Sequence, residues 1–260
     1  MSPKGAYLLS MRCFDAHTHI DMKHFQNDRE RVIQRAKEAG LVGMVTSSIG
    51  TGSFRRTLGI IKKHRGFIYH TAGCQVSRLT EEEAHRIIEL SRKYADELVS
   101  IGEVGLDYHW VKDKGQRRAQ EPLFNLFISL ANELDLPIVI HSRKADAEAV
   151  EILSREATTP VVMHCFDGPH SVAKAVGDHG WYITLPANFR KYRNRTDAAS
   201  ILPLEQILLE TDGPYLSPTD SRNEPANIVY GCKSLAEVLG LPEEDIAEAT
   251  TRNAMRFYCL

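Results

Sequence analysis

The sequence predicts an α/β fold, a single (β/α)8 barrel. Three observations lead there. Eight short apolar segments rich in β-branched residues are separated, nearly throughout, by segments whose apolar residues recur at helical spacing. The short runs are apolar along their length, as strands of a parallel sheet covered on both faces must be. Histidines and carboxylates fall at the ends of several of these runs, where a barrel gathers its loops into one rim.

The elements follow in chain order. The first strand covers 12–19. Asn27-Asp28-Arg29-Glu30 offers an N-cap with an acid three residues later, and Val32, Ile33, Ala36 and Ala39 continue the helix until Gly40 closes it. A second strand over 42–49, a helix over 53–63 and a third strand over 68–73 come next. Thr80-Glu81-Glu82-Glu83 is a capping box for the helix carrying Ile87, Ile88 and Leu90, and 98–101 is the fourth strand. A long loop over 107–118 leads to the helix bearing Phe124, Phe127, Ile128, Ala131 and Leu134. Strands at 137–140, 160–163 and 181–185 are separated by helices at 145–155 and 169–177. The eighth strand, 207–209, is followed by a long loop and by helices around 228–239 and 245–257. A doubly wound open sheet is the competing topology, but no Gly-rich dinucleotide turn follows the first strand.

A length of 260 residues suits one barrel, and no repeat, linker or low-complexity tract divides it. Residues 1–11 read as a short N-terminal extension, too weakly apolar for a signal peptide, and 12–260 as the barrel domain. No apolar run approaches the roughly 20 residues needed to cross a bilayer, so no membrane partner is expected. The cysteines, Cys13, Cys74, Cys165, Cys232 and Cys259, are odd in number and scattered, which predicts reduced thiols in a cytoplasmic protein. A net charge of −2 argues against indiscriminate coating of nucleic acid and leaves phosphate binding to local basic patches. No obligate protein partner is evident.

Phe14-Asp15-Ala16-His17-Thr18-His19 carries the first chemical signal. On a strand His17 and His19 share a face, so both imidazoles can aim at one metal ion, with Asp15 on that same face. Glu103 ends the fourth strand, His141 the fifth, His164 the sixth and Asp212 the eighth. Four histidines and two carboxylates on one rim exceed what a satisfied core needs, and a metal resolves the conflict. Six donors suit two metals bridged by a carboxylate, with ions roughly 3.5–4 Å apart. His17, His19 and Asp212 are assigned to one cation, His141 and His164 to the other, and Glu103 to both. Asp212 is also the candidate proton acceptor. The histidine-rich shell favours zinc, manganese, iron or cobalt over magnesium. Glu210, two residues before Asp212, is either an orienting group or an inward residue paired with a base.

These residues belong to a longer series. The first motif, Gly102-Glu103-Val104-Gly105-Leu106-Asp107, Pro137-Ile138-Val139-Ile140-His141-Ser142-Arg143, His164-Cys165-Phe166, Glu210-Thr211-Asp212-Gly213-Pro214-Tyr215-Leu216 and Arg222-Asn223-Glu224-Pro225 occur in order. Together they resemble the signature of the TatD family of metal-dependent hydrolases, and Gln120 with Phe124, and Thr251 with Asn253 and Ala254, extend the match. The resemblance implies a TIM barrel of the metal-dependent hydrolase type and deoxyribonuclease activity, in several members a 3′ to 5′ exonuclease. It also places the metal ligands on His17, His19, Glu103, His141, His164 and Asp212. One departure is visible: the family commonly shows Gly-x-His-Pro after the third strand, and this chain reads Gly73-Cys74-Gln75-Val76.

Two basic segments point to a phosphate substrate. Residues 189–195 interleave arginine, lysine and aromatic rings after the seventh strand, and 109–118 are strongly basic after the fourth. Arginines there can grip phosphates and rings can stack on unpaired bases. Arg143 and Arg222, beside the ligand motifs, are the expected phosphate contacts. The leading expectation is a metal-dependent deoxyribonuclease acting on single-stranded or frayed DNA ends. The alternatives are an amidohydrolase or lactonase, a D-aminoacyl-tRNA deacylase, and a metal-binding protein without catalysis.

Overall fold

A computed structural model describes residues 11–260. The part of the expected extension over 1–10 lies outside the described residues, while Met11 is buried in the core. Eight strands, β1 (Cys13–Thr18), β2 (Leu41–Ile49), β3 (Ile68–Gly73), β4 (Ser100–Asp107), β5 (Ile138–Arg143), β6 (Val161–Met163), β7 (Tyr182–Pro186) and β8 (Ile207–Glu210), pair in parallel in that order. The seam between first and last strands is stitched just past β8, where Asp212 N–H donates to His17 O at 2.9 Å and His19 N–H to Gly213 O at 2.8 Å. The expected barrel is therefore the fold.

Helices α1 (Arg29–Glu38), α2 (Thr51–Lys63), α3 (Glu81–Lys93), α4 (Lys114–Leu134), α5 (Asp146–Glu156), α6 (His170–Asp178), α7 (Arg193–Ile201), α8 (Ile228–Leu239) and α9 (Glu243–Phe257) accompany the strands. The capping box forms as expected, Thr80 accepting from Glu83 N–H. At α1 the cap falls on Asp28, whose side chain makes no cap bond because its carboxylate is taken by Arg222.

The core has two parts. Most buried apolar side chains lie between the sheet and its helices. A smaller cluster joins Phe14, Ala16, Val45, Val139, Val162 and Leu208 to Phe257 and Tyr258. Val139, Val162 and Leu208 each precede a polar site residue by two positions on the same strand face, so this cluster is the floor beneath the site. α9 closes the opposite end. Thr251 donates to Arg12 O at 2.8 Å, just before β1, and Asn253 to Leu204 O at 2.7 Å, in the turn before β8, and to Ile207 O at 2.9 Å, where β8 starts.

Three expectations are corrected. The fourth strand does not end at 101 but runs to Asp107, so Glu103 lies inside it. Gly102 and Gly105, poor strand formers, hide this continuation, yet close strand approach requires them. A Cβ on Gly105, at φ 142°, would sit 2.2 Å from His141 O. The loop expected over 107–118 is shorter, because Asp113 caps α4 by accepting from Gln116 N–H at 2.8 Å. The segment over 189–195 enters α7, which shows no apolar stripe because its inner face is made of Arg195, Ala198 and Ala199.

Candidate metal centre

The structure brings all six donor residues together. Glu103 is central, and its two oxygens face different partners. Oε1 is 3.8 Å from His19 Nε2, whereas Oε2 is 3.2 Å from His164 Nε2, 3.5 Å from His141 Nδ1 and 4.0 Å from His17 Nε2. Asp212 Oδ1 lies 3.3 Å from His19 Nε2 and 3.9 Å from His17 Nε2. The backbone of Asp212 is left-handed, at φ 55°, a conformation that Asp tolerates better than most residues. Donor atoms of His17, His19 and Asp212 lie within 4.8 Å of one another, as do those of Glu103, His141 and His164.

Each strand places its group by identifiable means. The Glu103 backbone is held on both sides: its N–H donates to Ser47 Oγ at 3.0 Å, and its carbonyl accepts from Cys74 N–H at 2.9 Å. His19 Nδ1–H donates to Ser47 O at 2.9 Å, which turns the Nε2 lone pair inward. His164 Nδ1–H donates to Glu210 Oε2 at 2.8 Å, and the same oxygen accepts from the Thr184 hydroxyl at 2.6 Å. Glu210 is therefore an orienting group, although a carboxylate beside His17 and His164 could by proximity alone be a ligand. His141 Nε2–H donates to Asp107 Oδ2 at 3.0 Å and turns Nδ1 toward Glu103.

Asp15 does not share the inward face. The β1–β2 register shifts between Asp15 and Thr18, breaking strict alternation, and the Asp15 carboxylate instead accepts from Thr211 N–H at 2.8 Å and the Thr211 hydroxyl at 2.5 Å. It anchors the seam.

Electrostatics test the fit of a cation. Burial pushes every imidazole here toward neutrality. At His19, Asp212 and Glu103 outweigh that burial and raise it to about 9; at His141, Asp107 and Glu103 do the same. His164 is likewise raised, by Glu210 and Glu103 against burial, whereas burial and the neighbouring histidines hold His17 low. Glu103 stays well below the usual carboxylate range despite its burial, because His141 and His164 bond to it. The carboxylates thus demand positive charge at their centre. A divalent cation supplies it while leaving the imidazoles neutral with lone pairs directed inward, so the donor set fits.

The expected substrate residues are less uniform. Arg143 is exposed two positions beyond His141, its guanidinium carbon 5.6 Å from the Trp110 ring centroid. Arg222 forks onto Asp28 at 2.8 and 3.0 Å and packs over Phe25. Gln75 is exposed after β3. In the segment over 189–195, Arg190 pairs with Glu237, Arg193 lies 3.6 Å from Asp197, and Arg195 is buried against Cys165 and Tyr192. Sequence reasoning overlooked Asp107 and Ser47 as orienting groups. Asp107 follows Glu103 by four positions and was readable had the strand been continued; Ser47 acts on His19 through its carbonyl, which no side chain reveals.

Known proteins resemble this chain in sequence and in fold. A family model described as TatD related DNase matches residues 14–259. The metal-dependent hydrolase YabD of Bacillus subtilis is 34% identical, over 94% of this chain and 98% of its own. A 3′-5′ ssDNA/RNA exonuclease TatD of Erwinia amylovora is 28% identical, over 95% and 100%. The crystal structure of YJJV, a TatD homolog from Escherichia coli, superposes with a TM-score of 0.86 at 25% identity, covering 96% of this chain and 99% of that one.

Proposed function

Because the chain belongs to the TatD family of metal-dependent hydrolases, we propose that it is a deoxyribonuclease removing nucleotides from 3′ ends of single-stranded or frayed DNA. The single observation that carries the two-cation form of this reading is the divided carboxylate of Glu103, one oxygen 3.8 Å from His19 and the other nearest His164 and His141 at 3.2 and 3.5 Å, with His17 farther off at 4.0 Å. His17, His19 and Asp212 would hold one cation, His141 and His164 the other, with Glu103 serving both. When bound, such cations polarise a phosphoryl oxygen and lower the pKa of water. Imidazole donors favour zinc or manganese over magnesium.

The chain's own groups do the rest. Asp107, Glu210 and the Ser47 carbonyl hold three imidazoles in one orientation each, so little reorganisation accompanies the reaction. Asp212 takes the proton of the attacking water. Arg143 grips the phosphate next to the bond that breaks. Arg222, with both terminal nitrogens on Asp28, contributes less to that grip. The lysines and arginines over 109–118 favour a polyanion over a small neutral substrate. The Erwinia relative's described action on single strands is consistent with this choice.

The test is incubation of metal-loaded protein with single-stranded and duplex DNA labelled at either end, beside chelator-treated protein and Glu103→Ala. Metal-dependent shortening from the 3′ end, absent in both controls, is expected. No metal-dependent loss of nucleotides, with turnover of a small ester or lactone instead, would sink the nuclease reading.

A further inference from the structure

Trp110 is the most exposed large apolar side chain among the described residues, with 66% of its surface in water. Its place is fixed. Its backbone N–H donates to Asp107 Oδ1 at 2.7 Å, as does that of His109 at 2.9 Å, and Tyr108 N–H donates to Arg143 O at 3.0 Å. Asp107 uses its other oxygen to orient His141. One carboxylate therefore ties the turn carrying the indole to the candidate metal centre. Arg117 braces the same turn, donating to Tyr108 O at 2.7 Å and Val111 O at 2.8 Å.

The ring has a cation over one face and an imidazole at its edge. The Arg143 guanidinium lies over one face, and His109 meets the indole edge-on at 4.8 Å between centroids. Desolvation together with the charges of Arg143, Lys112 and Lys144 holds His109 below the ordinary histidine range, a mark of the positive field around the turn. A flat aromatic surface, an arginine behind it and a cationic surround match an unpaired nucleotide, whose base offers a π-face and whose phosphate offers charge. A base inside a duplex has both faces covered by its neighbours and cannot use the ring.

Resting on the nuclease reading above, we infer that the Trp110 indole, backed by Arg143, is a stacking platform for an unpaired nucleobase beside the metal centre, and so a specificity-determining residue. It selects single strands and frayed ends without reading sequence, since every base presents a stacking face.

The test compares an oligothymidylate with an abasic oligonucleotide of equal length and charge, titrated into chelator-treated protein and followed by tryptophan fluorescence and anisotropy. Trp181, the other tryptophan, is stacked on His179 and supplies a constant background. The oligothymidylate should quench Trp110 and bind about 10-fold or more tightly than the abasic strand. Trp110→Ala should bring that affinity ratio close to one, and Trp110→Phe should keep most of it. Equal affinity of wild type for the two strands, or failure to bind either, overturns the platform. So does a Trp110→Ala variant that loses affinity for both in the same proportion, since that marks a scaffold role through the Asp107 turn. Binding is read without cleavage, so a failure of the nuclease reading shows separately, as absence of metal-dependent shortening by wild-type protein.

Discussion

Glu210→Gln probes the hold on one half of the centre. Glu210 is fully buried, and its Oε2 accepts from His164 Nδ1–H at 2.8 Å and from the Thr184 hydroxyl at 2.6 Å. Glutamine has nearly the same volume and can keep both bonds through its amide oxygen, so packing survives. What is lost is charge assistance: a bond to a charged group contributes roughly 1.5–3 kcal/mol, a neutral one roughly 0.5–1.5 kcal/mol. The difference, about 1–1.5 kcal/mol, falls on the imidazole that presents Nε2 to the cation and corresponds to roughly 10-fold in its affinity. With two cations bound as proposed, calorimetric titration of chelator-stripped protein with zinc or manganese, beside competition against a chromophoric chelator, resolves two equivalents. One should weaken about 10-fold and the other less than about twofold, while the stripped protein, which makes the same bond, should unfold at a somewhat lower midpoint. Both equivalents weakening alike would refute the assignment of His164 to one cation; neither weakening would refute the orienting role of Glu210.

Three further variants test the fold. His70 is fully buried, Nε2–H donating to Ser48 Oγ at 2.9 Å while Nδ1 has no partner, and burial lowers its pKa to about 3. Between about pH 3 and 6.5 the unfolded chain binds the extra proton, so stability is complete above that window and falls as pH drops through it. At pH 5 the loss is about 2 kcal/mol, and urea unfolding of His70→Gln against wild type should show that pH-dependent difference; parallel pH profiles would refute it. Gly105→Ala places a methyl 2.2 Å from His141 O at φ 142° and should cost at least about 2 kcal/mol, with impaired metal binding. Gly59→Ala, in α2 with nothing within 4 Å, should instead stabilise by up to about 1 kcal/mol, and equal effects of the two in urea titration would contradict the close-approach argument.

The barrel was readable because strands covered on both faces must be apolar throughout, and runs such as Ile138 to Ile140 stand out between helical segments. His141 and His164 were findable for the same reason, each interrupting such a run where the rim begins. Glu103 was visible as a residue, but its place inside β4 was hidden by Gly102 and Gly105, which let β5 approach. Alternation failed at Asp15, because a register shift is set by pairing with β2 and not by β1 itself. The fork between Arg222 and Asp28 joins positions 194 apart, and no local pattern announces it. α7 escaped because its buried face is two alanines and an arginine, too small and too polar to register as a stripe.

The stitched seam also has a consequence for biosynthesis. Thr18 and Gly213, which bond across it, stand 195 positions apart, and His17 and His19 precede Asp212 by nearly the whole chain. In the assignment proposed above, a nascent polypeptide therefore carries His17 and His19 through most of its synthesis before Asp212 can complete their set. A product truncated before Asp212 lacks both the carboxylate and the strand-end bonds that space the histidines. The candidate centre is therefore assembled only after all eight strands have been made, and not as its first histidines emerge.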